Sequence, residues 1–166
     1  FGVLQGFLPI AGYNYGSGNF KRLRDVIKLS HIFTTIIGII GFVLLFIFTE
    51  QIIKLFTSEK EIIEGGKYAL RLIVLTFPLL GIQVICAGFF QALGKVIPSF
   101  FLSLSRQVLF LIPLVLIMPL FFNIKGIWLS FPLADILSFF VSLSLFLFHF
   151  RKIRAQEAVS SASLQS

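Results

Sequence analysis

One carboxylate lies well inside an apolar segment near the end of the sequence. Asp135 belongs to a run from about Gly126 to Phe150 that is otherwise uncharged. A charge at the centre of a bilayer costs roughly 2.5–3.5 kcal/mol on insertion scales, so it requires a partner or a function. Asp135 is therefore either a proton or cation site facing a water-filled cavity, or a structural carboxylate that is hydrogen-bonded to neighbouring helices or paired with Arg106.

Three further polar side chains lie in apolar surroundings. Gln83 and Gln91 are separated by about 80° around a helix with 100° per residue, so they can share one broad polar face. That face either lines a cavity and offers hydrogen bonds to a substrate, or it joins helices through side-chain amide hydrogen bonds, each worth about 0.6 kcal/mol. Arg106 lies near the start of another apolar run, and we expect it to extend towards the cytoplasmic headgroups.

The sequence contains no pattern typical of disulfide formation, nucleotide binding or hydrolysis. Cys86 is the single cysteine and lies within an apolar run, which predicts a small packing residue. No Walker loop, G-x-S-x-G string or H-E-x-x-H string occurs. We therefore expect no catalytic residue, metal site or organic cofactor, and any energy source is an ion gradient, with sodium or a proton as coupling ion, or a partner.

The elements that carry these residues are helices of bilayer length. Hydrophobic residues make up 57% of the chain and charged residues 13%, against about 25% charged in soluble domains. The fold class predicted is all-α, a polytopic membrane bundle of four full transmembrane helices plus the end of a fifth. The predicted spans are residues 29–49, 72–93, 100–122 and 126–150, and the second should bend at Pro78 and Gly81.

The two ends of the sequence differ from the spans. Residues 1–12 are apolar but too few to cross a bilayer, so we expect the last turns of a helix that begins earlier in a longer protein. Residues 155–166 are small and polar, and we predict a disordered cytoplasmic tail. Ser58 and Glu61 have the spacing of a capping box, which predicts a helix start near Glu59.

The net charge of +7 is distributed between the apolar runs. Basic residues that flank alternate ends of the spans number nine on one side and five on the other, so the first side should be cytoplasmic, together with the C-terminus. Since no basic stripe or aromatic groove accompanies the charge, we expect no nucleic-acid partner. The nine are Lys21, Arg22, Arg24, Lys28, Lys95, Arg106, Arg151, Lys152 and Arg154.

Glycine and asparagine are concentrated before the first full span. Gly12, Gly16 and Gly18 free the backbone for a tight reversal, and Asn14 and Asn19 suit turn conformations. This composition predicts that a helix ends here and a loop begins.

The same segment carries a family resemblance. The string from Gln5 to Asn19, QGFLPIAGYNYGSGN, resembles the end of the eighth helix and the following cytoplasmic loop of the MATE (multidrug and toxic compound extrusion) transporters. Similar strings continue at Gln91–Lys95, Ser103–Arg106, Ile112–Leu114 and Gly126–Asp135, so the resemblance covers nearly all of residues 2–154. The loop motif comprises Gln5, Pro9, Gly12, Tyr13, Asn14 and Gly16.

The resemblance implies a twelve-helix protein in two lobes. Such a protein expels cationic or amphipathic compounds by alternating access, coupled to sodium or proton antiport, from a multi-pass position in the cell membrane, here the bacterial inner membrane. This chain would be most of the C-terminal lobe, with membrane lipid, the N-terminal lobe and a small substrate as partners. Alone it should be inactive.

Two departures from the family pattern affect coupling. The N-terminal lobe and the seventh helix, which carry coupling acids in family members, lie outside the sequence, and the span that resembles the tenth helix has only Gln83 and Gln91. The resemblance therefore implies that the main coupling site lies elsewhere, with Asp135 secondary. Two alternatives stay open. One is a lipid-linked sugar flippase of the same superfamily, for which Arg106 would be the basic residue inside the cavity, and the other is a nontransporting membrane remnant.

Overall fold

The computed structural model describes the backbone of residues 1–163 and the side chains of residues 1–153, and every regular element in that range is helical. Seven α-helices and one π-helical segment follow one another. They are α1 (Gly2–Gly16), α2 (Phe20–Ile47), α3 (Thr49–Lys54), α4 (Lys60–Val74), α5 (Phe77–Ala92), α6 (Val96–Leu104), the π-helical segment Ser105–Leu111 and α7 (Ile112–Ser163).

Two helical stretches are individually long and apolar enough to cross a membrane. They are Phe20–Ile47 and Val96–Ile153, and the bent pair α4–α5 qualifies when its two helices are taken as one span. The described residues therefore form a helical membrane bundle. The depth at which each helix enters the bilayer stays a prediction.

The stretch Val96–Ile153 doubles back on itself. Its 58 residues would reach about 87 Å as one straight helix, far beyond the ~30 Å of a hydrocarbon core. Asn123 has a non-helical backbone with φ 52° and ψ −143°, and Gly126 lets the returning helix lie against the Met118 carbonyl. The reversal brings Asp135 back to Arg106, which it contacts directly.

The predicted bend near Pro78 is present. Helices α4 and α5 meet at 43° across Leu75 and Thr76. Pro78 lies in the first turn of α5, where a missing backbone N–H removes no intrahelical hydrogen bond. The proline therefore marks where a new helix begins, and the interior of α5 stays regular.

Glycine allows close approach of α2 and α5. A Cβ atom at Gly38 would lie 2.7 Å from the Phe77 carbonyl oxygen, and one at Gly81 would lie 2.7 Å from Thr34 Cβ. Small residues at such crossings are typical of helix packing in membranes, where van der Waals contact replaces the hydrophobic effect.

The burial pattern is the reverse of a soluble protein's. Long apolar side chains along α2, such as Ile37 and Ile40, are more than half exposed, while polar side chains including Thr76, Gln83 and Asp135 are buried. Lipid can cover the apolar surface, and interhelical contacts can satisfy the polar groups. The buried core is aromatic at its centre, with Phe89 in ring contact with Phe90 and Phe146 at 5.2 and 5.1 Å.

Three local predictions differ from the structure. Helix α1 continues through Gly12 and Asn14 to Gly16, because the Asn14 amide donates to the Ile10 carbonyl at 2.7 Å and Gly12 makes room for the Ala92 carbonyl. The reversal is confined to residues 17–19, where Gly18 has φ +70° and Asn19 caps α2 through the Arg22 amide.

The capping box at Ser58 is not formed. Glu59 is the N-cap residue of α4 and has no side-chain capping bond, while its own amide donates to the Thr57 hydroxyl. The helix still begins where the spacing predicted.

The predicted tail from residue 155 coincides with continuing helix. The backbone of α7 runs to Ser163, and this segment includes Ala155, Gln156 and Glu157, which are good helix formers. Residues 164–166 of that tail lie outside the described residues.

Candidate functional site

Asp135 connects three elements of the bundle. One carboxylate oxygen accepts from the Thr76 hydroxyl at 2.6 Å, and the other contacts Arg106 Nε. The backbone carbonyl of Asp135 accepts from the Gln83 amide at 2.8 Å. Because its side chain is 4% exposed, the carboxylate is held by a cation and a hydroxyl away from open solvent, as a buried charge requires.

Arg106 is therefore placed differently from our expectation of an arginine that extends to the headgroups. It lies in the π-helical segment Ser105–Leu111, and π-segments inside helices occur frequently at functional sites. Its side chain points to the interior because Asp135 provides an opposite charge there. With 41% of that side chain exposed, the guanidinium contacts Asp135 on one side and open space on the other.

That open space is a cavity of about 220 Å³ between α1, α5, α6, the π-helical segment and α7. Gln83, Gln91 and Arg106, the three polar residues singled out in the spans besides Asp135, all line it. The structure thus brings together side chains that lie on two separate predicted spans. Apolar wall residues such as Leu80, Val84 and Leu102 complete the lining.

The charge of the lining is unusual for a cation site. Among the residues described around this cavity none is acidic, and Asp135 is not part of the lining. The Arg106 charge is balanced by Asp135 behind it, so the cavity presents amide, hydroxyl and guanidinium groups with a small net charge. Such a surface suits hydrogen-bonding and apolar groups.

The loop-motif residues lie on helix α1. Gln5, Pro9 and Tyr13 are spaced by four residues and share an exposed face, with Tyr13 76% exposed. Gly12 and Asn14 lie towards the bundle, and Gly16 ends the helix. Phe1, which precedes α1, and Leu4 belong to the cavity lining, and no other α1 side chain described does.

Sequence reasoning missed Thr76 and the serines of the cavity region. Asp135, Ser138 and Ser142 are all buried and follow the 3-and-4 spacing of one helix face, and Ser142 and Ser103 line the cavity. Polar residues at this spacing indicate a polar helix face, which is missed when only isolated charged residues are considered. Thr76 could have been found as a hydroxyl beside the proline break, where freed backbone groups attract partners.

Comparison with known proteins decides the family. A family model described as MatE matches residues 1–117, well over half of the 166-residue chain. The chain belongs to the MatE family. The resemblance predicted from the strings around Tyr13 and Gln91 is thereby confirmed.

Individual MatE relatives agree with this assignment. The chain is 27% identical over 134 residues to the multidrug export protein MepA of Staphylococcus aureus, covering 81% of this chain and 29% of that protein. It is 24% identical over 130 residues to an FAD transporter of Shewanella oneidensis, covering 78% of this chain and 29% of that protein.

A solved MatE-family structure matches both fold and sequence. The MATE multidrug transporter DinF-BH, determined in complex with R6G, superposes with a TM-score of 0.85 and 41% identity, covering 92% of this chain and 34% of that one. The chain therefore spans about a third of the length of the relatives it matches.

Proposed function

We propose that this chain forms part of the wall of a substrate cavity in an ion-coupled efflux transporter for cationic or amphipathic compounds. The observation that carries the proposal is the convergence of Gln83, Gln91 and Arg106 on one cavity within a bundle of the MatE family. A transporter needs polar groups that face an aqueous space inside an apolar body. These three provide them.

The lining indicates which part of a substrate it contacts. Its amides, hydroxyls and apolar side chains bind the hydrogen-bonding and hydrophobic portions of an amphipathic compound, and no described acidic residue is available for a cationic centre. We infer that the acidic groups that balance a cation belong to the facing lobe. This matches a cavity shared between two lobes, of which this chain contributes one wall.

The coupling ion, sodium or a proton, would bind mainly outside this chain. Asp135 is already paired with Arg106 and hydrogen-bonded to Thr76, so an arriving cation would have to displace an existing partner. In alternating access the pair would instead hold α5, the π-helical segment and α7 together as one moving body. The exposed face of α1 around Gln5 and Tyr13 is the surface that we assign to the N-terminal lobe.

Ethidium efflux tests this proposal. The longest reading frame that contains this chain is expressed in the inner membrane of a pump-deficient bacterium, and ethidium fluorescence is followed with and without a sodium or proton gradient. We expect gradient-dependent efflux from the long frame and none from the 166-residue chain alone. Efflux that does not respond to either gradient, or gradient-driven uptake by vesicles holding only this chain, would contradict it.

Variants of the lining make the test specific. Gln91→Leu should raise the ethidium concentration needed for half-maximal efflux, because it removes the hydrogen-bonding amide from the cavity. Arg106→Gln should raise it as well, because the shorter glutamine leaves fewer N–H donors there. Ile37→Ala, on the exposed apolar surface of α2, is the matched control and should leave it unchanged. Equal effects of all three would show that the cavity has no special role.

A further inference from the structure

A second cavity, of about 420 Å³, lies between α2 and the C-terminal part of α7. Its α2 wall includes Arg24, Lys28 and His31, which are spaced four and three residues apart and so share one helix face. Its α7 wall consists of Phe146, Leu147 and Phe150. One wall is therefore basic and the other is apolar and largely aromatic.

The position of this cavity suits a lipid. Arg24 and Lys28 lie just before the apolar stretch that starts at Leu29, so the basic wall is at the membrane boundary and the apolar wall continues into the bilayer. Exposed Lys21, Arg22 and Lys152 lie at the same end of these helices. Basic cavities between membrane helices on the cytoplasmic side are a known mode of anionic headgroup recognition.

Two details distinguish this cavity from a general basic surface. His31 Nδ1 is buried and makes no hydrogen bond to any residue the structure describes, while its ring packs edge-on against Phe146 at 5.5 Å. A buried polar atom without a partner is costly, so a small rotation of the ring that let Nδ1–H donate to a phosphate oxygen in the cavity would be favourable. Asp25 also lines the cavity, so the basic wall contains one acidic group as well.

We propose that this cavity binds one anionic phospholipid. Its phosphate lies against Arg24 and Lys28, within reach of His31, and an acyl chain lies along Phe146, Leu147 and Phe150. The probe is phosphatidylglycerol, whose phosphate carries a single negative charge. The bound lipid would fix the C-terminal part of α7 against α2.

Lipid titration tests the site. The longest reading frame that contains the chain is purified in a neutral detergent and titrated with phosphatidylglycerol or phosphatidylcholine of identical acyl chains, with bound lipid counted by native mass spectrometry. Phosphatidylglycerol should bind more tightly. Arg24→Gln combined with Lys28→Gln should weaken it on the order of 25-fold, since each basic group near a membrane surface contributes about fivefold.

Controls separate a defined site from diffuse attraction. Lys21→Gln with Arg22→Gln removes the same charge at the same membrane face from exposed residues outside the cavity, and should weaken binding by less than about twofold. Leu147→Trp fills the apolar wall and should weaken both lipids without changing any charge. Soluble glycerol phosphate should not compete.

Three outcomes would overturn the proposal. They are equal affinity for the two lipids, equal effects of the two charge-removing pairs, and full competition by glycerol phosphate, which would mean that the acyl chain is not recognised. These results are independent of ethidium efflux, so the lipid site can fail while the transport proposal stands.

Discussion

Asp135 and Arg106 show how a charge is retained at depth in this bundle. The carboxylate has a guanidinium and a hydroxyl as partners, and the backbone beside it is tied to Gln83. Removing one member of a buried ion pair typically costs 3–5 kcal/mol, because the other charge is left without compensation. Here the cost is lower, since Arg106 is 41% exposed and can be partly solvated from the cavity.

We therefore predict that Asp135→Asn lowers the free energy of unfolding by about 1–3 kcal/mol. Combining it with Arg106→Gln should recover part of that loss, because the guanidinium charge that Asp135→Asn leaves without a partner is then removed as well. Unfolding in mixed detergent micelles, followed by loss of helicity, is measured for the native protein, each single variant and the double variant. Strictly additive effects of the two substitutions would show that the pair has no coupling energy.

The sequence alone identified several residues of the candidate site but did not predict the orientation of Arg106. Asp135, Gln83, Gln91 and Arg106 are conspicuous because each is polar in an apolar run. The orientation of Arg106 depended on a partner from a different span and on the reversal at Asn123. No local pattern contains that information.

The α2–α5 crossing depends on two glycines, and one substitution separates steric from general effects. Gly38→Ala would place a Cβ atom 2.7 Å from the Phe77 carbonyl oxygen, which is backbone and cannot turn aside. We expect destabilisation of about 1–3 kcal/mol by the same unfolding assay. Gly41→Ala, one turn along α2, meets only Phe77 Cδ2 at an ordinary 3.6 Å and should be nearly neutral; a similar loss at both positions would argue against the crossing.

The connection between α3 and α4 is held by an ion-paired carboxylate outside the spans. Glu50 contacts Lys54 at 2.7 Å and Lys67 at 2.6 Å. Hydrogen bonds from Lys54 and Lys67 lower the pKa of Glu50 from 4.5 to about 2. Since the folded pKa lies below the unfolded one, this contribution to stability is present above pH 4.5 and is lost as the pH falls towards 2.

Melting temperature against pH measures that contribution. The native chain should lose stability between pH 4.5 and 2 in excess of Glu50→Gln, and the two curves should converge below pH 2. Glu64→Gln, which removes an acid without a described ion pair on the same helix hairpin, should follow the native curve. A constant difference between native and Glu50→Gln protein at all pH values would contradict the role of this pair.

The helical character of the chain was well predicted, but the local irregularities of the helices were not. Long apolar runs indicate helices almost regardless of tertiary context, and the bend at Pro78 follows from local geometry. No local pattern predicts the π-helical segment, and Gly12 lies inside α1 beside the Ala92 carbonyl rather than in a turn. Glycine in a sequence does not reveal whether it serves a turn or a close approach.

For the molecule as a whole, orientation in the membrane follows from charge. Nine basic residues flank one side and five the other, so the C-terminal end of α7 should be cytoplasmic. A reporter that is fluorescent only in the cytoplasm should be bright after Arg154. The same reporter inserted after Asn123, at the opposite reversal, should be dark, and the inverse pattern would overturn the topology.

If the proposed function holds, water reaches the cavity bounded by Gln83, Gln91 and Arg106, because it is one wall of the substrate path. Labelling of single cysteines with a charged, membrane-impermeant thiol reagent in permeabilised cells tests it most directly, because thiolates react only where water reaches them. Cys86 is the single cysteine of these 166 residues and is buried. The background is the longest reading frame with Cys86 and every cysteine outside this chain replaced by alanine. Gln91→Cys and Ser103→Cys should be labelled, and ethidium should slow the labelling of both. Ile37→Cys, on the lipid-facing surface of α2, should react slowly whether or not ethidium is present. Absence of labelling at Gln91 and Ser103, or labelling that ethidium does not slow, would contradict the account.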